Sequence, residues 1–184
     1  MRAMKDAWFF GFHLRLEAFS ARSGHKIGPD TLEPIVLMIY EHAKRMTAQQ
    51  LMDALAALNT CRRSLGAYWT RYDVWICPTT PRVSEPWGNY NLGRSDVAFE
   101  ELPEKIYRAI AQFTMPHNIM GTPAISLPLV MHSNGLPIGV QIGAPPAAEH
   151  VVLQLAAALE KAMPWANRLP PMHVSRAAAM APAD

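Results

Sequence analysis

The side chains best placed for chemistry in this 184-residue sequence are short polar groups beside apolar runs. Thr79 and Thr80 follow the run "DVWIC" (73–77), and hydroxyls at the carboxyl end of a strand often face a binding site. Asn118 and Gly121 form an N-x-x-G run before a second apolar segment, where an asparagine can hold a polar ligand. The alternative for these residues is turn formation, since threonine, asparagine and glycine are all common in turns.

The sequence contains no recognisable catalytic or metal-binding motif. It lacks the G-x-S-x-G turn of many serine hydrolases, the H-E-x-x-H pair and a glycine-rich phosphate loop. Ser126 lies in the apolar run "AISLP", which favours a buried serine hydrogen-bonded to backbone. His117 and His132 favour structural roles, and Cys77, with no readable base, favours an inert thiol. We therefore predict no catalytic residue, no metal site and no cofactor in this chain.

Three amphipathic helices are predicted in the first seventy residues. Apolar residues recur at helical spacing over 7–20 and again from about residue 32. A third helix follows Thr47, which forms a capping box with Gln50 three positions later. The apolar faces of these helices must cover other parts of the protein.

The second half of the sequence predicts a few strands and two more helices. A short strand (73–77), a long loop (78–96) and a helix within 97–112 come first. Two apolar runs then join at Asn134-Gly135, which favours a tight hairpin whose two central residues both take positive φ. Both strands are apolar on both faces, so we expect both faces to be covered. A last helix is predicted over 147–163, and three strands are few for so many helices, which indicates part of a larger unit.

Composition excludes several classes of partner. The sequence has 17 basic and 15 acidic residues, a net charge of +2, which gives no electrostatic basis for binding nucleic acid or a membrane surface. Cys61 and Cys77 lie far apart, which favours a reducing compartment over a disulfide framework. Charged residues interrupt the only apolar run near the N-terminus, and no stretch approaches the roughly 20 apolar residues of a membrane span. We expect a cytoplasmic protein.

Four segments resemble, in order, the C-terminal third of amidase signature hydrolases. They are "YDVWICPTTP", "FTMPHNIMGTPAISLPL", "NGLPIGVQI" and "EHVVLQLAAALEKAMPW". The segment "EPWGNYNLGR" is similar to members of that family that act on cyclic or linear aminohexanoate oligomers. The resemblance implies a partial α/β/α fold, with helices packed on a few strands of an incomplete mixed sheet. It implies that residues 1–173 form the C-terminal part of a single domain. We expect a disordered tail over 174–184.

The resemblance also implies hydrolysis of amide bonds by acylation of a serine, through a Ser–Ser–Lys triad and an oxyanion site of backbone N–H groups. That triad belongs to a Gly-Gly-Ser-Ser-Gly-Gly type of segment, and this sequence contains neither a Ser-Ser nor a Gly-Gly pair. Lys5 precedes Asp6 at the head of an amphipathic helix, and no serine motif follows it, so we reject Lys5 as the triad lysine.

Two hypotheses follow from this mismatch. The first is a C-terminal fragment or split half of an amidase, inactive alone, which pairs with the missing N-terminal half or with itself. In the completed enzyme, Thr79, Thr80, Asn118 and Gly121 would contact a small amide substrate. The alternative is a non-catalytic remnant that acts as a binding or structural protein.

Overall fold

The computed structural model of the chain describes residues 2–175 and confirms the α/β class. The predicted tail over 174–184 lies outside the described residues apart from its first two positions. In chain order the elements are the helices α1 (Arg2–Ser23), α2 (Pro34–Lys44) and α3 (Ala48–Tyr68), the strand β1 (Trp75–Pro78), a 3₁₀ turn (Phe99–Glu101), a π-helical segment (Pro103–Arg108), the helices α4 (Ala109–Ala111) and α5 (Met115–Met120), the strands β2 (Ala124–Met131) and β3 (Pro137–Gly143), and the helix α6 (Glu149–Ala162).

The first helices share one buried apolar cluster. It lies between α1, α2 and the segment that follows the long loop, and its buried members are Phe9, Ile35, Ile39, Ala43, Val97 and Leu102. The capping box before α3 is confirmed: the Thr47 hydroxyl accepts from the Gln50 backbone N–H (3.2 Å), and the Gln50 side chain accepts from the Thr47 N–H (2.8 Å). Of the residues of α3 only Ala54 is buried, so the described residues leave much of this helix uncovered.

The three strands form one sheet in the order β1–β3–β2. Both pairings are antiparallel, so β1 and β2 run parallel to each other on either side of β3. One face packs against α6 through a cluster that includes Leu127, Ile142 and Ala156. The other face carries the polar groups described below. No helix within residues 2–175 combines the length and the apolarity needed to cross a membrane.

Two predictions about the β2–β3 hairpin are wrong. Asn134 does not take a positive φ; only Gly135 does, at +82°. The His132 N–H donates to the Leu136 carbonyl (2.9 Å), so three residues form the loop, a type in which the last residue is left-handed. The second prediction was that other parts of the protein cover both faces of the hairpin strands. Within the described residues this is wrong for β2, because Val130 and Met131 are exposed.

Candidate functional site

A pair of hydroxyls lies on the face of the sheet opposite α6. Thr79 continues the register of β1, and its backbone N–H donates to the Gly139 carbonyl on β3 (2.8 Å). Ser126 lies on β2, on the other side of β3. The Thr79 Oγ1 and the Ser126 Oγ are 2.5 Å apart and share a hydrogen bond. We call Thr79 and Ser126 the hydroxyl pair.

Gly139 makes the hydroxyl pair possible. A Cβ atom at position 139 would lie 2.7 Å from both the Thr79 Oγ1 and the Ser126 Oγ, closer than real side chains approach. A glycine inside a strand often marks such a close approach. The two hydroxyls therefore meet across the central strand because that strand has no side chain there.

The environment of Ser126 differs from the prediction. Ser126 is exposed, and its hydroxyl bonds to another side chain, so the expected buried serine bonded to backbone is wrong. One feature of the sequence points to this contact, the glycine inside "LPIGVQI", because a glycine within a strand allows a close approach of neighbouring groups. The register that places Thr79 and Ser126 on either side of that glycine was not readable from local sequence.

Gln141 anchors the same face of the sheet. Its side chain is buried and donates to the Phe113 carbonyl (2.9 Å) and to the Cys77 sulfur (3.5 Å). Burial raises the pKa of the Cys77 thiol above its ordinary value, although the contact with Gln141 opposes this shift. A thiol held in its protonated form is a poor nucleophile, which agrees with the predicted inert role.

His117 fixes α5 against the sheet. Its ring is buried, lies 5.4 Å from the Trp75 ring, and occupies the space that a side chain at position 143 would need. The His117 Nδ1 is 2.8 Å from the Thr122 Oγ1, and its Nε2 has no partner among the described residues. Burial lowers the pKa of His117 below its usual value, which favours the neutral ring. These contacts agree with a structural role.

Thr80 and Gly121 both form local structure. The Thr80 hydroxyl donates to the Arg82 carbonyl (2.8 Å), which closes a turn just after β1. Gly121 ends α5 in the left-handed conformation (φ +70°), and its N–H donates to the His117 carbonyl (2.8 Å). This is the usual position of a glycine after a helix. Turn formation therefore accounts for both residues, and their predicted contact with a substrate stays a prediction.

Asn118 lines a cavity of about 610 Å³ between α1, α3 and α5, apart from the hydroxyl pair. Its side chain is exposed and donates to the Thr114 carbonyl (3.3 Å). Arg62 lies at the same cavity and donates through its Nε to the Ile119 carbonyl (2.5 Å). Thr79, Thr80 and Gly121 do not line this cavity.

The predicted loop over 78–96 is held by polar contacts within itself. Glu85 accepts from the Asn89 amide (2.7 Å) and from the Arg82 guanidinium (3.2 Å), and these contacts lower the pKa of its carboxyl. Arg94 makes a two-pronged contact with Asp96 (2.7 and 2.8 Å). The loop is also joined to α2, where the Ile35 N–H donates to the Leu92 carbonyl (3.1 Å).

Neither hydroxyl of the pair has a base beside it. Within residues 2–175, no lysine, histidine or carboxylate side chain hydrogen-bonds to Thr79 or Ser126; each has the other as its side-chain partner. A hydroxyl becomes a nucleophile when a base within hydrogen-bond reach removes its proton. The pair can therefore donate and accept hydrogen bonds, but it has no partner in this structure that would activate it.

Comparison with known proteins places the chain in a family. The family model "Amidase" matches residues 3–153. The chain belongs to the amidase family. Among amidase relatives, the chain is 35% identical over 157 residues to the 6-aminohexanoate-cyclic-dimer hydrolase of Pseudomonas sp. strain NK87, covering 81% of this chain and 32% of that enzyme. It is 30% identical over 161 residues to the putative amidase AmiC of Mycobacterium tuberculosis strain H37Rv, covering 86% of this chain and 33% of that protein.

The fold of this amidase-family chain is also similar to solved structures. The structure of a 6-aminohexanoate cyclic dimer hydrolase matches with a TM-score of 0.81 and 29% identity, over 93% of this chain and 37% of that one. These matches confirm the resemblance to the amidase family, whose relatives include hydrolases of the aminohexanoate type. The chain spans about a third of the length of the relatives it matches.

Proposed function

We propose that this chain is the C-terminal part of an enzyme that hydrolyses amide bonds, and that it supplies part of the substrate-binding wall. In this proposal, the serine nucleophile and the lysine base come from amidase-family polypeptide outside the 184 residues. The observation that carries the proposal is a family match over residues 3–153 in a chain whose best-placed hydroxyls have no base among the described residues.

The chemistry of the hydroxyl pair suits binding better than attack. Thr79 and Ser126 have two O–H groups between them, and one of these protons lies between the two oxygens. The second O–H is left to donate to a ligand, and the oxygen lone pairs can accept from an N–H. An amide presents one carbonyl oxygen and one N–H, so the pair is matched to an amide group.

The relatives suggest the substrate class. Two of them are named 6-aminohexanoate-cyclic-dimer hydrolases, at 35% and 34% identity. We propose a cyclic or linear amide of short amino acids such as aminohexanoate as the substrate of the complete enzyme. Thr79 is the predicted residue with the strongest structural support, while contacts of Thr80, Asn118 and Gly121 with the substrate remain part of the proposal. A cytoplasmic location is also proposed, and both cysteines are free.

The proposal is tested with two polypeptides. The first is this chain, and the second is the part of the Pseudomonas hydrolase that lies outside the matched third. Cleavage of 6-aminohexanoate cyclic dimer is followed by release of free amine. We expect no cleavage by this chain alone and cleavage when the two polypeptides are combined. The matched third of the Pseudomonas enzyme, added in place of this chain, is the positive control.

Two results would count against the proposal. Cleavage by this chain alone would show that it contains its own nucleophile. Cleavage in the positive control but not with this chain would favour the non-catalytic remnant. The two hypotheses are thus separated by the same assay.

A further inference from the structure

We propose that the cavity between α1, α3 and α5 binds a short aliphatic carboxylate, with Arg62 as the partner of the carboxylate group. The inference goes beyond the proposed function, because neither member of the hydroxyl pair lines this cavity. The cavity volume of about 610 Å³ falls within the range of small-molecule sites. Such sites combine apolar walls with a few polar groups that orient the ligand.

Apolar side chains form most of the cavity wall. The Trp8 and Tyr107 rings meet edge to face, with their centroids 6.5 Å apart, and Leu58, Ile110 and Met115 also line the cavity. Trp8 is 54% exposed and Ile110 is 39% exposed, so part of this apolar surface is in contact with water. A hydrocarbon chain that covers the surface would be favoured by the hydrophobic effect.

Arg62 is fixed at the cavity by a bond to the end of α5. Its Nε–H donates to the carbonyl of Ile119 (2.5 Å), in the last turn of that helix, where carbonyls have no partner within the helix. In the part of the chain that the structure describes, no group accepts from the terminal nitrogens of Arg62. The guanidinium is therefore oriented by one bond and keeps its other N–H groups to donate.

The charge of the cavity wall favours an anion. Among the described residues that line the cavity, Arg62 is the only cation and none is acidic. No carboxylate within residues 2–175 forms an ion pair with Arg62. A guanidinium presents parallel N–H groups that match the two oxygens of a carboxylate. A carboxylate on an aliphatic chain therefore fits both the cation and the apolar wall.

Asn118 adds a second polar group to the cavity wall. Its amide donates one N–H to the Thr114 carbonyl (3.3 Å), which leaves the other N–H for a ligand. Asn118 lies on α5, the helix whose last turn holds Arg62. The same short helix therefore positions both polar groups that would contact the carboxylate.

The first test uses this chain and three small probes, hexanoate, hexylamine and acetate. The dissociation constant of each is measured by isothermal titration calorimetry at neutral pH. We expect hexanoate to bind, and acetate, which lacks most of its methylene groups, to bind about a hundredfold more weakly. Hexylamine has a similar chain but a positive charge, so we expect it to bind at least about tenfold more weakly than hexanoate.

The second test uses two pairs of variants to locate the site. Arg62→Gln removes the guanidinium, whereas Arg63→Gln removes the same charge at an exposed neighbour that does not line the cavity. Ala111→Phe fills part of the cavity, whereas Gln112→Phe adds the same ring at the next, exposed position. We expect Arg62→Gln and Ala111→Phe each to weaken hexanoate binding by about tenfold or more, and the two controls to leave it unchanged. Circular dichroism checks that each variant retains the fold.

Four results would overturn the inference. They are no saturable binding of hexanoate, equal binding of hexanoate and hexylamine, equal binding of hexanoate by Arg62→Gln and the unsubstituted chain, and loss of hexanoate binding when the remaining part of the Pseudomonas hydrolase is added. The last result would show that polypeptide fills the cavity in the complete enzyme. If a substitution unfolds the chain, the comparison of the three probes decides. The cleavage assay tests the proposed function separately, so each of these results leaves that function standing.

Discussion

Thr79 and Ser126 share a hydrogen bond of 2.5 Å across β3, at Gly139, where that strand has no side chain to keep the two hydroxyls apart. The contact joins the end of β1 to β2 without a covalent link. It also holds the exposed Ser126 and the half-buried Thr79 at an open part of this face, where their hydroxyls can meet a polar ligand. The arrangement therefore serves the fold and the proposed binding wall at once.

Gly139→Ala is expected to break this contact. The new methyl group would lie 2.7 Å from both hydroxyl oxygens, so the strands must shift or the hydroxyls must separate. We expect a loss of about 1–3 kcal/mol in the free energy of unfolding, measured by urea denaturation. Gly66→Ala on α3 is the control, since nothing lies within 4 Å of the added methyl group. It should stabilise the chain by about 0.5–1 kcal/mol through helix propensity. Equal effects of the two substitutions would contradict the described packing.

Thr79→Val tests the hydroxyl pair as a substrate contact. Valine keeps the shape of the threonine side chain and removes the hydroxyl. In the reassembled enzyme we expect kcat/KM for the cyclic dimer to fall by roughly tenfold, the effect of one lost hydrogen bond. Thr79→Ser keeps the hydroxyl and should retain most of the activity. Unchanged kinetics in Thr79→Val would assign Thr79 a purely structural role.

Buried His117 should make stability depend on pH. Burial lowers the pKa of the folded ring below its ordinary value of 6.5, so the unfolded chain takes up a proton that the folded chain resists. This contribution to stability is fully present above about pH 6.5 and declines as the pH falls below that value, by up to about 1.4 kcal/mol per pH unit for one proton. Burial lowers the pKa of His42 in the same sense, so His42 adds to the decline.

The measurement is urea denaturation of the chain at several values between pH 7 and pH 5. In His117→Gln, the free energy of unfolding should fall less steeply between pH 7 and pH 5, because the proton uptake by residue 117 on unfolding is removed. This expectation holds whatever the substitution does to stability at neutral pH. His150→Gln, at an exposed position on α6, is the control and should leave the decline unchanged. A decline in His117→Gln equal to that of the unsubstituted chain would contradict the described burial.

Local elements were predictable from the sequence because local interactions determine them. Thr47 and Gln50 form the expected capping box within four residues of chain. The long helix α6 was predicted over 147–163 and spans Glu149–Ala162, because its apolar spacing is regular. The short helix α5 was not predicted. Its sequence "MPHNIM" has a proline in the first turn and too few residues to show a period.

The candidate site was only partly predictable, because it depends on contacts between distant strands. The position of Thr79 after an apolar run predicts a site residue, whereas the apolar run around its partner Ser126 predicts a buried serine. Their contact requires the register of both strands against β3, which residues far apart in the sequence decide. Gly121 differs from this pair because local structure explains it. It takes a left-handed φ of +70°, a conformation that favours glycine.

In the proposed function, the serine nucleophile lies outside this chain. A fluorophosphonate probe reacts with activated serine hydroxyls, and mass spectrometry locates the label. The probe is applied to this chain alone and to the mixture with the remaining part of the Pseudomonas hydrolase. We expect no stoichiometric label on this chain in either sample, and one label per complex on the added polypeptide. One label per chain at Ser126, or at any other serine of these 184 residues, would contradict it.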